Sequence, residues 1–175
     1  METRLPKQDT SWSQWIKQHG PALVLLARQW CPAGGDAEDA VHDAFLGFWP
    51  KRNRVKDPTA YLYRCVRNAA IKRQRSASRR RRHERLAAQM PQAGWFTPSH
   101  EHEMDEDRQL IEQSLAALPE AQRQVVVMKI WGGLTFNQIA QSADISINTA
   151  ASRYRYALEA LRKAMGGIDQ EPENE

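Results

Sequence analysis

Apolar residues recur at helical spacing along most of the chain. From Leu134 to Met165 the pattern is sharpest. Thr135 is placed to cap a helix with Phe136, Ile139 and Ala140 on one side. Ser142-Ala143-Asp144 reads as a break. Ser146 then caps a longer helix, with Ala150, Tyr154, Ala157, Leu158, Leu161 and Met165 on its apolar face. Its other face carries Thr149, Ser152, Arg153 and Tyr156, with Asn148 near the start and Arg155 on the flank. Short helix, tight turn and a longer helix with a polar, basic face make a helix-turn-helix pattern, whose second helix enters the major groove of DNA. The plainer reading is two ordinary packed helices.

Upstream, a helical pattern begins near Ser11 and runs through Trp15, Ile16, His19, Leu23, Leu26, Ala27 and Trp30, with Gly20-Pro21 expected to interrupt it. Cys31 to Gly35 reads as a turn. Asp36 is expected to cap the next helix, which buries Ala37, Ala40, Val41, Ala44, Phe45 and Phe48 and turns Asp39, His42, Asp43 and Gly47 outward. Pro50 to Asp57 reads as a basic loop. Asp57-Pro58 is a strong helix start, followed by inward Leu62, Val66, Ala69 and Ala70. Tyr61, Arg64, Arg67, Asn68, Lys72 and Arg75 can face outward, before a run that ends in Arg79 to Arg82. Aromatic rings beside arginines suit a nucleic-acid strand, while a solvated basic helix end is the plainer reading. Residues 87–104 hold prolines, a glycine and no period, as a linker would. Leu110, Leu115 and Leu118 then mark a short helix. Pro119-Glu120 starts another, with Val125, Val126, Val127, Ile130 and Trp131, stopped at Gly132-Gly133. The valine run could be a strand, but a buried helix fits its borders better.

The expected fold is all-α. Two small helical domains are joined by a flexible linker, and the C-terminal one carries the helix-turn-helix. Boundaries fall at 11–82, 83–104 and 105–167, with an acidic tail at 168–175. A hydrophobic share of 41% and a mean hydropathy of −0.70 limit any core, and suit two small units better than one large one. The net charge of +4 matters through its placement. Basic residues crowd Arg64 to Arg85 and acidic ones Glu101 to Asp107, so a polyanionic partner is expected. No stretch approaches the roughly 18 apolar residues of a membrane span, and Met1 to Ser13 has no signal-peptide core, so a cytoplasmic location is expected. Cys31 and Cys65 read as reduced packing residues. His100 and His102 beside Glu101 and Glu103 lack further metal ligands, so no metal and no cofactor are expected. Asp39 and Asp43 could pair as acid and base, but nothing separates their pKa values, and no catalytic motif is present.

Residues 36–49, Asp-Ala-Glu-Asp-Ala-Val-His-Asp-Ala-Phe-Leu-Gly-Phe-Trp, with Ala-Tyr-Leu-Tyr-Arg-Cys-Val-Arg-Asn-Ala-Ala at 60–70, resemble the second conserved region of bacterial RNA polymerase sigma factors. Leu-Pro-Glu-Ala-Gln-Arg at 118–123, Gly-Gly-Leu-Thr-Phe-Asn-Gln-Ile-Ala at 132–140 and Asn-Thr-Ala-Ala-Ser-Arg-Tyr at 148–154 resemble the fourth. Two regions in this length resemble the extracytoplasmic-function (ECF) class of the sigma-70 superfamily. The resemblance implies a non-enzymatic initiation factor that binds core RNA polymerase and helps to melt a −10/−35 promoter. On the polymerase it implies the clamp helices of the largest subunit and the flap of the second. Asp39, His42 and Asp43 would meet the clamp. Arg52, Asn53 and Arg54, in the loop that captures a flipped base, would serve the −10 single strand with Tyr61, Arg64, Arg67, Asn68 and Lys72. Asn148, Thr149, Ser152, Arg153, Arg155 and Tyr156 would read the −35 element. The linker would thread toward the active-site cleft, its acidic run mimicking RNA. An anti-sigma factor is a further partner class, though no zinc-binding anti-sigma motif is present. Asp144 stands where the family often has glycine, Ala151 where a basic residue is common, and Asn148 and Ala150 where glycine and valine are frequent. A stand-alone helix-turn-helix regulator and a basic RNA-binding protein are the alternatives. The first leaves residues 36–82 unexplained, and the second rests on Arg79 to Arg82.

Overall fold

The computed structural model describes residues 12–31, 35–84 and 113–166, which are mostly helical with no strand among them. Helix α1 (Trp12–Ala27) leads to α2 (Asp36–Phe48), a 3₁₀ segment (Trp49–Arg54) and the long α3 (Pro58–Glu84). The second half holds α4 (113–117), α5 (Glu120–Val126) with a π-helical end (Val127–Trp131), α6 (Phe136–Ala143) and α7 (Ile147–Gly166). The acidic tail, His100, His102, Glu101 to Asp107, Leu110 and the expected linker beyond Glu84 lie outside the described residues.

Local expectations and structure diverge at defined points. Pro21 does not interrupt α1 but sits inside it. The ring removes one N–H from the ladder, yet Ala22, Leu23, Leu26 and Ala27 are all buried beyond it, and that packing holds the helix through. Gly35, not Asp36, is the N-cap of α2, and no side chain caps it. Asp36 is instead the first of three acidic residues in the first turn, where the helix dipole favours them. The expected loop after Phe48 is largely 3₁₀ helix. Asp57 caps α3 as expected, its Oδ1 accepting from the Ala60 N–H at 3.0 Å.

The valine run is helical, but its turn widens. Gly132 N–H reaches back to the Val127 carbonyl at 3.1 Å, a five-residue step. The extra residue rotates Ile130 and Trp131 away from the core. Expected inside, they are 51% and 44% exposed. Gly133 follows with φ of 66°, which a side chain would strain. Ser142, expected in the turn, is the fully buried last-turn residue of α6.

The two halves share one core. Leu23, Leu26, Phe45, Phe48, Leu62, Tyr63 and Val66 from the first half form a continuous buried cluster with Val125, Val127, Met128, Leu134, Ile139 and Ala150 from the second. Helix α3 packs on α6, and α1 packs on the π-helical end of α5. Tyr63 stands edge-on to His19, with ring centroids 5.9 Å apart, and its hydroxyl points at Gly132. A Cβ added at Gly132 would stand 2.7 Å from that hydroxyl, so the approach depends on glycine. Leu115, Leu118, Val126 and Ala157 make a smaller cluster within the second half.

Candidate nucleic-acid interface

The helix-turn-helix is built by its caps. Thr135 Oγ1 accepts from the Gln138 N–H at 3.2 Å, and Gln138 Oε1 accepts from the Thr135 N–H at 3.0 Å, a closed capping box. Asp144 ends α6 in the left-handed region, at φ 59° and ψ 50°. Ser146 Oγ accepts from the Thr149 N–H at 3.0 Å and starts α7. Helix α7 buries Ala150 and Ala157, and stacks Tyr154 on Phe136 at 5.7 Å. The side chain of Met165 lies outside the described residues.

This packing exposes Asn148, Arg155 and Tyr156, and leaves Thr149, Ser152 and Arg153 half-buried. Two hydroxyls are already engaged. Thr149 Oγ1 meets Ser146 Oγ at 2.8 Å, and Ser152 Oγ donates to the Thr149 carbonyl at 3.1 Å. The Arg155 guanidinium lies 5.1 Å from the Tyr156 ring.

On α3, Arg64, Asn68 and Lys72 are exposed at a spacing of four, which sets them on one face. Tyr61 and Arg67 are half-buried. Tyr61 packs beside Phe48 at 6.3 Å, and the Arg67 guanidinium lies 6.0 Å from the Trp30 ring. In the 3₁₀ segment Asn53 and Arg54 are exposed, whereas Arg52 turns inward. Its guanidinium sits 4.0 Å over the Trp49 ring and donates to the Trp49 carbonyl at 2.9 Å, so it braces its own segment. Arg75, Arg79 and Arg80 extend the basic face of α3, while the side chains of Arg81 and Arg82 lie outside the described residues.

The third group is acidic. Asp39, His42 and Asp43 are exposed on α2. Arg73 of α3, which sequence reading placed only in the basic run, reaches Asp43 at 2.6 Å, Asp39 at 3.5 Å and Asp36 at 3.7 Å. The bond to Asp43 leads in pushing its pKa up. Three carboxylates against one guanidinium leave this stripe two charges negative. Such exposed pairs contribute little stability, about 0–1 kcal/mol each, so their main effect is to hold the carboxylates in place. Leu46, 56% exposed one turn on, was also missed. The spacing of Asp36, Asp39 and Asp43 on one stripe was the available signal for Arg73.

Neither cysteine is placed for chemistry. Cys31 is buried and donates to the Ala70 carbonyl at 3.6 Å, and burial pushes both thiols up. No metal cluster occurs among the described residues, and none of their helices is long and apolar enough to cross a membrane.

A capped helix-turn-helix, preceded by a helical half with a basic, aromatic face, defines a DNA-binding transcription protein. The profile of Sigma-70 region 2 matches residues 15–80, and that of Sigma-70 region 4 matches residues 114–163. The ECF RNA polymerase sigma factor SigL of Mycobacterium tuberculosis is 30% identical over 151 residues, which is 83% of each chain. The ECF RNA polymerase sigma factor RpoE of Cereibacter sphaeroides is 26% identical over 91% of this chain and 88% of its own. Among solved structures, the sigma factor RpoE in complex with the anti-sigma factor NepR from Bartonella quintana shares the fold. Its TM-score is 0.67 at 21% identity, over 90% of this chain and 98% of that one. CnrH in complex with the cytosolic domain of CnrY has a TM-score of 0.56 at 23% identity, over 90% and 88%.

The chain belongs to the sigma-70 family, and its relatives are ECF sigma factors. It binds core RNA polymerase and directs promoter-specific transcription initiation.

Proposed function

We propose that three surfaces divide the work of initiation. Asn148, Thr149, Ser152, Arg153, Arg155 and Tyr156 read the −35 element. Asn53, Arg54, Tyr61, Arg64, Arg67, Asn68 and Lys72 hold the −10 single strand, with Arg52 shaping the segment between. Asp39, His42 and Asp43, with Leu46 beside them, meet the polymerase clamp. The observation that carries this reading is the α6–α7 turn: two capped helices around Asp144 present a polar, basic face on which Asn148, Arg155 and Tyr156 are exposed among the described residues. The protein acts in the cytoplasm without catalysis of its own. An anti-sigma factor is a fitting regulator, since the two structural neighbours are held by such partners or by a cytosolic domain.

Purified protein mixed with bacterial core polymerase should initiate transcription from a −10/−35 promoter, and absence of a stable complex would refute the reading. Arg153→Ala should weaken all promoters alike and flatten the salt slope by about one unit if it touches phosphate. Loss on one −35 sequence alone would make it a base reader. Asp43→Arg should reduce core binding. Because it also breaks the bond to Arg73, the paired Asp43→Arg/Arg73→Asp variant restores the ion pair and should still bind core poorly. Wild-type affinity in that pair would remove Asp43 from the contact.

A further inference from the structure

The chain enters the second helix of the helix-turn-helix through Ile145-Ser146-Ile147-Asn148. Ile145 packs against the buried core, and its N–H donates to the Ala140 carbonyl at 3.0 Å. Ser146 then caps α7. Its Oγ accepts from the Thr149 N–H and its carbonyl from the Ala150 N–H, both at 3.0 Å. Ile145 is held inward and the first turn is bonded, so Ile147 is turned out and stands 51% exposed. It is the first residue of α7, and Ala151, half-buried, lies one turn on along the same side.

A single exposed isoleucine needs no explanation on an ordinary surface, but this one stands where a helix-turn-helix meets its target. The N-terminal residues of the second helix are the ones that reach base edges in the major groove. Among the described residues of α6 and α7, the large apolar side chains left exposed are Ile147 and Tyr156. Tyr156 has a hydroxyl, and the Arg155 guanidinium lies 5.1 Å from its ring. Ile147 has no donor or acceptor, so it gains nothing from a phosphate or from the polar atoms of a base edge. The apolar group that the major groove does present is the C5 methyl of thymine. Ala151 continues the apolar strip, where a basic side chain would bring charge over the same edge. Branching at Cβ keeps χ1 of Ile147 stiff, so little rotamer freedom is lost on contact.

We propose that Ile147 is a specificity-determining residue that reads the C5 methyl of one thymine in the −35 element, with Ala151 beside it on the same apolar strip. The inference rests on the promoter reading above and deepens it. Asn148, exposed one position on, has an amide that can bond a polar base edge. Ile147 supplies the apolar half of the readout. Its contact involves no charge, so it sets which sequence is preferred and leaves the salt dependence of binding alone.

The test removes one methyl group from the DNA. Holoenzyme formed from the full chain and bacterial core polymerase selects promoters from a duplex library randomised across the −35 element. Each thymine of a selected −35 element is then replaced singly by deoxyuridine, which lacks only the C5 methyl. At one position the wild-type holoenzyme should lose about fourfold in promoter binding, the worth of one buried methyl group. Ile147→Ala should lose a similar factor on the thymine promoter, lose nothing more with deoxyuridine, and keep the wild-type salt slope. Ile147→Val, which keeps the branched Cβ, should still tell thymine from deoxyuridine. The wild-type arm needs no variant, so misfolding cannot imitate its result. Wild-type binding that is indifferent to deoxyuridine at every position overturns the proposal. So does an Ile147→Ala variant that discriminates as wild type does, or one that weakens every −35 sequence alike. A wild-type chain that forms holoenzyme yet initiates from no member of the library refutes the promoter reading and this inference with it, whereas methyl-independent initiation refutes the role of Ile147 alone.

Discussion

Replacing Tyr63 by phenylalanine should stabilise the protein, although it deletes a polar atom from a fully buried tyrosine. The ring packs edge-on to His19 and belongs to the shared core, and phenylalanine keeps both relations. Only the hydroxyl is lost, and it has no hydrogen-bond partner among the described residues. A buried polar group without a partner costs about 1–3 kcal/mol. The void left by one oxygen, roughly 15 Å³, costs only about 0.4 kcal/mol at the cavity rate. The balance is a gain of about 0.6–2.6 kcal/mol, or roughly 2–8 °C in Tm at about 3 °C per kcal/mol for a chain of 175 residues.

Thermal and urea unfolding of the two proteins side by side would measure it. An unchanged urea m-value would show that the gain lies in the folded state. Alkaline pH supplies a second readout. Burial pushes the Tyr63 phenol above its ordinary value of 10.0. The folded state therefore favours the neutral form, and that contribution is lost as pH rises beyond the unfolded value. The advantage of Tyr63→Phe should widen above pH 10. A lower Tm for the variant, or a difference independent of pH in that range, would refute the reasoning and mean that the hydroxyl is hydrogen-bonded in solution.

Asp144→Gly should raise stability by about 0.5–1 kcal/mol by relieving the left-handed backbone, and a lower Tm would show that the aspartate side chain supports the turn. Asp57→Ala removes the cap of α3 and the tie to Gln138 and should cost about 1–2 kcal/mol, whereas Asp57→Asn, which keeps an acceptor, should cost less in the same melt. His19 is buried against Trp15 and Tyr63, and desolvation lowers its pKa from 6.5. Its unfolded state thus takes up the proton first, so stability should be constant above pH 6.5 in this term and fall as pH drops below it. His19→Gln should flatten the melting temperature between pH 5 and 6.5, and an unchanged slope would assign the dependence to other groups.

What could be read from the chain follows the range over which each interaction acts. Thr135, Ser146 and Asp57 were legible as caps because a cap is decided within three residues. All six buried positions of α2 were legible because one face repeats without interruption. Pro21 and Trp131 were not. Continuation through Pro21 depends on burial of Leu23 and Leu26 against other helices. Trp131 turns outward because a π-helical step resets the phase, and hydrophobic spacing carries no mark of that step. Tyr63 went unnoticed since a tyrosine fits a core or a surface equally well, and its seat is made by Gly132, sixty-nine positions away.

The candidate site divides along the same line. Residues that face outward by helical phase alone, Arg64, Asn68, Lys72 and Asn148, were found from spacing. Arg52 was also named, yet it folds back over Trp49, because a cation beside an aromatic ring has a local alternative to solvent. Arg73 was read as one more basic residue, but it spends its charge on Asp39 and Asp43, from a different helix. The same holds where the two halves meet. Asp57 was legible as the cap of its own helix, whereas the capping role of Gln138 and its contact with Asp57 were not. A sequence therefore discloses the parts that touch promoter and polymerase before it discloses what holds those parts together. In this protein that second layer includes a polar tie between two helix starts, from Gln138 to Asp57.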